Sequence, residues 1–384
     1  MVKNEIYTDD YASRAIVKRI FLTKEDISCD KLMLLVQALN ERQLSLKKPI
    51  ANLAGARIRF EGYSFAGGFV LKGTLTQAES RHLSYLFKDP YQEATNVFEG
   101  IFKSDLSMDE KTLSLLKERV LDEQAELKRD AYSYSMSRME IVYSKPIVNP
   151  NLIQSMTLDD LNSAFEKVKS SRCGQILFVG RKPKKDALGN VSSFEKDFSG
   201  LPLDYLISSH GCFDSSFLSD TMNFIVEFKK ITTLDEYLLL RAAFYAFSIK
   251  ARKDIFEKYH VKCDVRFDCI SNYRAVFSLI CPRGKQAMIS PILDSFLSDV
   301  WIRKSLDYYE EAIEEIRMEN ISLAGNFRLA LNRMIRVFDF QLSGNVSFEQ
   351  PVKFTKEEFV KKATDIRKAS FFKCVYDKGE LIHD

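Results

Sequence analysis

Histidine is scarce in this chain: four residues in 384, at His82, His210, His260 and His383, none at a spacing that places two imidazoles on one helix face. A self-contained zinc centre of imidazoles is therefore not expected. Seven cysteines (Cys29, Cys173, Cys212, Cys263, Cys269, Cys281, Cys374) are scattered and odd in number, with no C-x-x-C pair. They fit buried thiols in a reducing cytoplasm better than a disulfide framework or a zinc ribbon. No apolar run approaches the length of a membrane span. The opening Met1-Val2-Lys3-Asn4-Glu5 lacks a charged-then-apolar signal pattern, and a cytoplasmic location is the expectation. Net charge is only +3, with both signs interspersed, so no basic stripe exists to hold nucleic acid or an anionic membrane.

What is present is the composition of a globular protein, 46% hydrophobic and 28% charged. A chain of 384 residues is long for one core, and two domains of about 190 residues are expected. Ile16 to Leu22 reads as a strand, followed by a helix from Cys29 or Asp30 to about Gln43 whose Leu32–Val36 core is apolar all round. Alternation at 56–60 and 69–75 around Ala66-Gly67-Gly68 predicts an antiparallel hairpin. Gly67-Gly68 reads as its turn in preference to a substrate-contacting loop. Helices are expected over 77–87, 91–103, 109–130 and 133–144, the last stopped by Pro146. Thr157 caps a further helix to Ser170 with Asp159 and Asp160 in its first turn, and Gln175–Gly180 is a strand.

From Lys182 to about Thr221 periodicity gives way to lysine-proline, glycine and serine texture, read as a linker. The second half then repeats the first: a strand at 222–228, a helix from Leu234 to about Arg252, and strands near 261–268 and 273–281. Helices near 285–303, 306–319 and 322–338, a helix capped by Thr355 and a closing strand at 371–376 complete it. At a constant offset of 198, Thr157 falls on Thr355, Asp160 on Glu358, Leu161 on Phe359, Val168 on Ile366 and Phe178 on Tyr376. A tandem duplication of one α+β domain accounts for this. The expected division is residues 1–185, a linker at 186–220, and 221–384.

Two stretches carry chemistry worth weighing. Gly62-Tyr63-Ser64-Phe65-Ala66 half-resembles a nucleophile elbow, but the last glycine is missing and a strand follows, so it is rejected. Arg252 and Tyr259 stand seven positions apart after the helical run from Leu234. On one unbroken helix they would share a face about 10 Å apart along the axis, too far to grip one atom. If the chain leaves the helix between them, guanidinium and phenol can converge on a carbonyl oxygen. The alternative is a solvated basic helix end of Lys250, Arg252 and Lys253 beside a core tyrosine.

Duplicated α+β domains, with Lys117-Glu118-Arg119-Val120-Leu121-Asp122-Glu123 on a helix, then Met156-Thr157-Leu158-Asp159-Asp160-Leu161 and Leu177-Phe178-Val179-Gly180, resemble the pitrilysin/insulinase family of zinc peptidases. The likeness is strongest to small bacterial and mitochondrial-processing-peptidase-like subunits. It implies two tandem α/β-sandwich domains, each an antiparallel-rich sheet with helices packed on it. Active members carry H-x-x-E-H on the first helix. The corresponding stretch here, Asp30 to Glu41, has no histidine, and Glu123, at the position resembling the third zinc ligand, cannot hold zinc alone. The resemblance also implies that Arg252 and Tyr259 bind the substrate backbone and stabilise the oxyanion. No cofactor is then expected in this chain. Zinc would sit in a homologous H-x-x-E-H partner of a heterodimer that cleaves peptides, as in maturation of subtilosin-type bacteriocins. A scaffold subunit is the alternative.

Overall fold

The computed structural model describes residues 5–7, 13–42, 56–65, 67–77, 90–103, 105–171, 174–180, 219–343 and 354–374. The expected helix at 77–87, nearly all of the linker at 182–221, and His82, His210, His383 and Tyr376 lie outside the described residues. The chain divides into two compact units, Met1–Ala125 with Glu140–Tyr205, and Glu126–Met139 with Leu206–Asp384. Each is α+β, as the alternating and 3.6-periodic stretches require. No helix among the described residues is long and apolar enough to cross a membrane.

In the first unit β2 (Arg14–Thr23) lies between β4 (Gly68–Gln77) and β5 (Gly174–Gly180), antiparallel to both. The outer strand β3 (Ala56–Phe65) pairs with β4, and the short β1 (Glu5–Tyr7) runs parallel to β5, giving the order β1-β5-β2-β4-β3. Helix α1 (Cys29–Arg42) is buried against this sheet, with Leu32, Leu34, Leu35 and Leu39 fully enclosed. Gly62 permits that approach. A Cβ there would stand 3.1–3.2 Å from Met33, Leu32 and Val36 side chains on α1. Gly67, at φ +80, turns the hairpin, and a Cβ on Gly68 would sit 2.2 Å from the Leu22 carbonyl oxygen. Both glycines are thus structural, the turn reading of the hairpin.

The outer edge of β3 is closed by its own unit. Asn40 on α1 both donates to the Phe60 carbonyl and accepts from its N–H, each at 2.9 Å, and Ser64 exchanges backbone bonds with Tyr143 and Ser144. These contacts satisfy ladder groups that an open edge would present to another strand.

Helices α2 (Pro90–Lys103), α3 (Glu110–Leu127), α5 (Pro150–Ser155) and α6 (Leu158–Ser170) also belong to the first half of the chain. Between α3 and α5, α4 (Ala131–Arg138) is shorter than the expected 133–144 helix. Glu140 and Tyr143 take left-handed backbone (φ 49 and 69), which ends the helix well before Pro146. Helix α4 belongs to the second unit. Tyr132 explains the attachment: its hydroxyl donates to Asp268 at 2.5 Å, and the Arg266 guanidinium lies 4.8 Å from its ring.

In the second unit β6 (Ser219–Glu227) lies between β8 (Arg274–Pro282) and β9 (Arg367–Cys374), with β7 (Asp264–Cys269) outside β8, in the order β7-β8-β6-β9. Setting β1 aside, the two sheets have one order and one strand-to-strand succession, as a duplication requires. The paired caps agree. Thr157 and Asp160 form a reciprocal capping box on α6, and Thr355 and Glu358 form its counterpart on α12 (Lys356–Thr364). Leu161 and Phe359 are buried at the same position of their helices, but Val168 lies inside α6 whereas Ile366 follows the end of the shorter α12, so the offset of 198 does not hold beyond the first turns.

The remaining helices are α7 (Leu234–Tyr259), α8 (Gln286–Leu293), α9 (Asp299–Ser305), α10 (Tyr309–Ala324) and α11 (Phe327–Asp339). The single helix expected over 285–303 is two. Leu297 at φ 59 breaks it, and Ser298 caps α9 by accepting from the Trp301 N–H. Helix α7 runs to Tyr259, seven residues beyond the expected end at Arg252. The buried stripe Leu240, Phe244, Phe247, Ala251, Ile255 continues past Arg252 without a break, and His260 in left-handed backbone closes the helix by donating its N–H to Phe256.

If the two boxes are duplicated stabilising devices, Thr157→Ala and Thr355→Ala should each cost about 1 kcal/mol. Urea unfolding of the two variants is the measurement, and equal midpoint shifts in the unit concerned are expected.

Candidate functional site

Helix α7 carries the candidate residues Arg252 and Tyr259, so what holds α7 decides their geometry. Near its start, Arg241 is buried and binds Glu319 of α10 through both Nε (3.1 Å) and Nη2 (2.6 Å). Arg333 of α11 binds the same carboxylate. Burial raises the Glu319 pKa, but the two guanidinium charges outweigh it and hold the carboxyl below its usual range. Further along, Asp254 accepts from Lys250 Nζ at 2.7 Å and from the Trp301 indole N–H at 2.9 Å. Trp301 in turn packs on Phe247 and Phe296, with ring centroids 5.5 and 5.2 Å away.

Of the basic cluster on α7, then, Lys250 is a paired, buried residue and Lys253 lies 4.3 Å from the Tyr308 ring. Arg252 is exposed, and its Nε donates to the Ser248 carbonyl at 3.3 Å, one turn toward the helix N-terminus. Tyr259 is half-buried, with Lys258 Nζ 5.1 Å from its ring. The helix is unbroken between Arg252 and Tyr259, so the separation along the axis is about 10 Å, and the condition for convergence on one oxygen is not met here. The missed signal was Ala251 and Ile255, whose 3.6-residue spacing extends the core stripe beyond the basic residues.

The second region is the α1–α3 pair in the first unit. Gln37 Nε2 on α1 donates to Glu123 Oε1 on α3 at 2.8 Å, and Lys145 Nζ stands 3.6 Å from Glu123 Oε2. One turn along, Glu41 pairs with Arg119 at 2.5 Å. Glu123 therefore faces α1. What it meets is an amide donor and an ammonium, neither of which binds zinc. No group of three histidine, cysteine, aspartate or glutamate side chains among the described residues is placed to hold a metal ion. The donor set does not fit zinc.

A polar ladder crosses the first sheet on the face opposite α1. Glu61, Lys72, Arg19 and Gln175 are consecutive partners across β3, β4, β2 and β5. Lys72 Nζ binds Glu61 at 3.3 Å, Arg19 donates to Gln175, and Arg19 Nη1 donates to the Tyr143 hydroxyl at 2.8 Å. Burial lowers the Lys72 pKa in spite of Glu61.

Removing the Glu319 carboxylate leaves two buried guanidinium groups without their anion, and Glu319→Gln should cost about 3–5 kcal/mol. The wild-type contribution has a defined pH sense. Because the folded pKa is depressed, it is complete above the unfolded glutamate value of about 4.3 and is lost as pH falls through the folded value. Urea midpoints measured from pH 7 to pH 3 should decline more steeply in wild type than in Glu319→Gln.

No family model matches the sequence, and no curated protein matches it. Solved structures match its fold. A conserved protein from Enterococcus faecalis V583 superposes with a TM-score of 0.67 at 13% identity, over 98% of this chain and 96% of that one. A peptidase M16 inactive domain from Pseudomonas fluorescens gives 0.57 at 13% identity, covering 97% and 95%. The periplasmic protease PqqL from Escherichia coli gives 0.61 at 10% identity over 95% of this chain, which spans only 43% of PqqL. The chain thus has the pitrilysin-like, M16-type fold of two tandem α+β domains.

Proposed function

We propose that this chain is the non-zinc subunit of a heterodimeric, cytoplasmic zinc peptidase acting on short peptides. The observation that carries the reading is the Gln37–Glu123–Lys145 contact. A fold shared with peptidases bears, at the place of its metal helix, a set of groups that cannot hold the metal. A homologous partner with H-x-x-E-H would supply the zinc and the glutamate base, and would complete a cleft with this chain. Maturation of a ribosomally made peptide, such as a bacteriocin, is the biological setting we assign. It rests on family association.

In this reading Arg252 and Tyr259 contact the substrate backbone. Their separation of about 10 Å on α7 matches roughly three residues of extended peptide at ~3.3 Å each. The geometry therefore favours two grips along a strand-like substrate over one shared oxyanion hole. Arg252, exposed and held only to a backbone carbonyl of its own helix, is free to turn toward a peptide carbonyl. A donor that strengthens its bond as charge develops lowers the barrier, and one lost donor typically costs about 2.7–4 kcal/mol.

The unbroken helix also favours a second reading, a scaffold subunit in which Arg252 and Tyr259 are ordinary helix residues. Co-expression with an H-x-x-E-H neighbour separates the two. The peptidase reading expects 1:1 association, zinc in proportion to the partner, and activity only in the mixture. Arg252→Ala or Tyr259→Phe should then lower turnover at least about tenfold with zinc content unchanged. Association without activity selects the scaffold, and full turnover in both variants removes the substrate role.

A further inference from the structure

Two thiols in the second unit face each other outside everything described so far. Strand β7 begins at Asp264, which lies opposite Ile280 of β8. Extending that antiparallel register by one residue would set Cys263 opposite Cys281, and the two free thiols are in hydrogen-bonding contact. Directly opposed antiparallel residues have Cα atoms about 4.5–5.5 Å apart. A disulfide spans about 4.4–6.8 Å, a range that includes the separation of directly opposed strand residues.

The two sulfurs are unlike. Cys263 is partly exposed, in the connection between α7 and the edge strand β7, whereas Cys281 is buried. Cys281 donates its S–H to Cys263, which holds the Cys263 pKa below that of an ordinary thiol and raises that of Cys281. On the other side of Cys281, in register on β6, stands buried Asp220, whose carboxylate accepts the Gly284 N–H at 2.8 Å and opposes a negative charge on Cys281. An accessible nucleophilic sulfur thus sits against a protonated, shielded one. Cys29 makes the contrast: burial and the neighbouring Asp30 charge push it up to about 12. Buried Cys269 is pushed up to about 11.

We infer that Cys263 and Cys281 are a redox-responsive dithiol, converted to a cross-strand disulfide by low-molecular-weight disulfides of the glutathione type. The Cys263 thiolate attacks one sulfur of RS–SR, the S–S bond breaks, and RS⁻ leaves with Cys263–S–S–R formed. Cys281 then gives up its proton and attacks the Cys263 sulfur, releasing the second RS⁻. The two protein thiols lose two electrons, RS–SR is reduced to two RSH, and the thiol protons pass to the released thiolates. The crosslink fastens the chain four residues beyond Tyr259 to β8. This site is independent of the peptidase reading.

The test uses the full chain equilibrated in buffers of reduced and oxidised glutathione, quenched with acid and alkylated, then analysed by intact mass and peptide mapping. The expected wild-type product has lost two hydrogens and yields one crosslinked peptide joining Cys263 and Cys281. Cys281→Ser should instead hold a stable mixed disulfide at Cys263, and Cys263→Ser should leave Cys281 unmodified. In the untreated protein near pH 7, iodoacetamide should label Cys263 at least about tenfold faster than Cys29, a comparison needing no variant. A wild-type chain whose Cys263 stays a thiol or a glutathione adduct under oxidising buffer, or whose Cys263 pairs elsewhere, overturns the inference. So does labelling of Cys263 no faster than that of Cys29.

Discussion

The binding of Arg241 and Arg333 to one carboxylate, Glu319, is the constraint on which the second unit turns. Two cations and one anion in a buried place are stable only as a set, since any one of them alone would carry the full cost of desolvation. The set joins α7, α10 and α11 near the start of α7. Asp254 with Lys250 and Trp301 ties α7 again further on. A helix held at both points, with a continuous apolar stripe between them, has no reason to unwind before Tyr259. The spacing of Arg252 and Tyr259 is therefore a consequence of core chemistry several turns away.

The same logic explains how α4, encoded in the first half of the chain, belongs to the second unit. Asp268 is half-buried, and although desolvation favours its neutral form, Arg336 and the Tyr132 hydroxyl hold its pKa below the usual carboxylate value. Tyr132 brings an O–H to a carboxylate that needs donors, and its ring lies against the Arg266 guanidinium. Sequence order alone cannot reveal such an exchange, because Tyr132 and Asp268 are 136 positions apart.

Much of the fold was legible because each half advertises the same periods. The hairpin at 56–77, the apolar α1 and the Thr157 and Thr355 caps all depend on local pattern, and local pattern survives into the structure, whereas the constant offset of 198 holds only over the caps and first turns. The errors have two causes. Leu297, Glu140, Tyr143 and His260 adopt left-handed backbone without being glycine, so the breaks and stops they create carry no composition signal. Conversely, Lys250-Ala251-Arg252-Lys253 looked like a helix end because cations favour that place, yet Ala251 continued the core stripe. The candidate site was legible as residue types. Its geometry was not, because that depended on where α7 ends.

The α1–α3 contact can be taken one step further. Glu123 sits at the α1–α3 seam, and its charge is met by Lys145 and the Gln37 amide. The seam is thus complete without an ion: Gln37 is buried and hydrogen-bonded, and the Glu41–Arg119 pair extends the contact by a turn. Building a zinc site at this seam would take more than one histidine. It would require displacing an ammonium from Glu123, supplying two imidazoles on α1, and removing a buried amide already satisfied by its neighbour. Several coupled changes separate this seam from a metal centre.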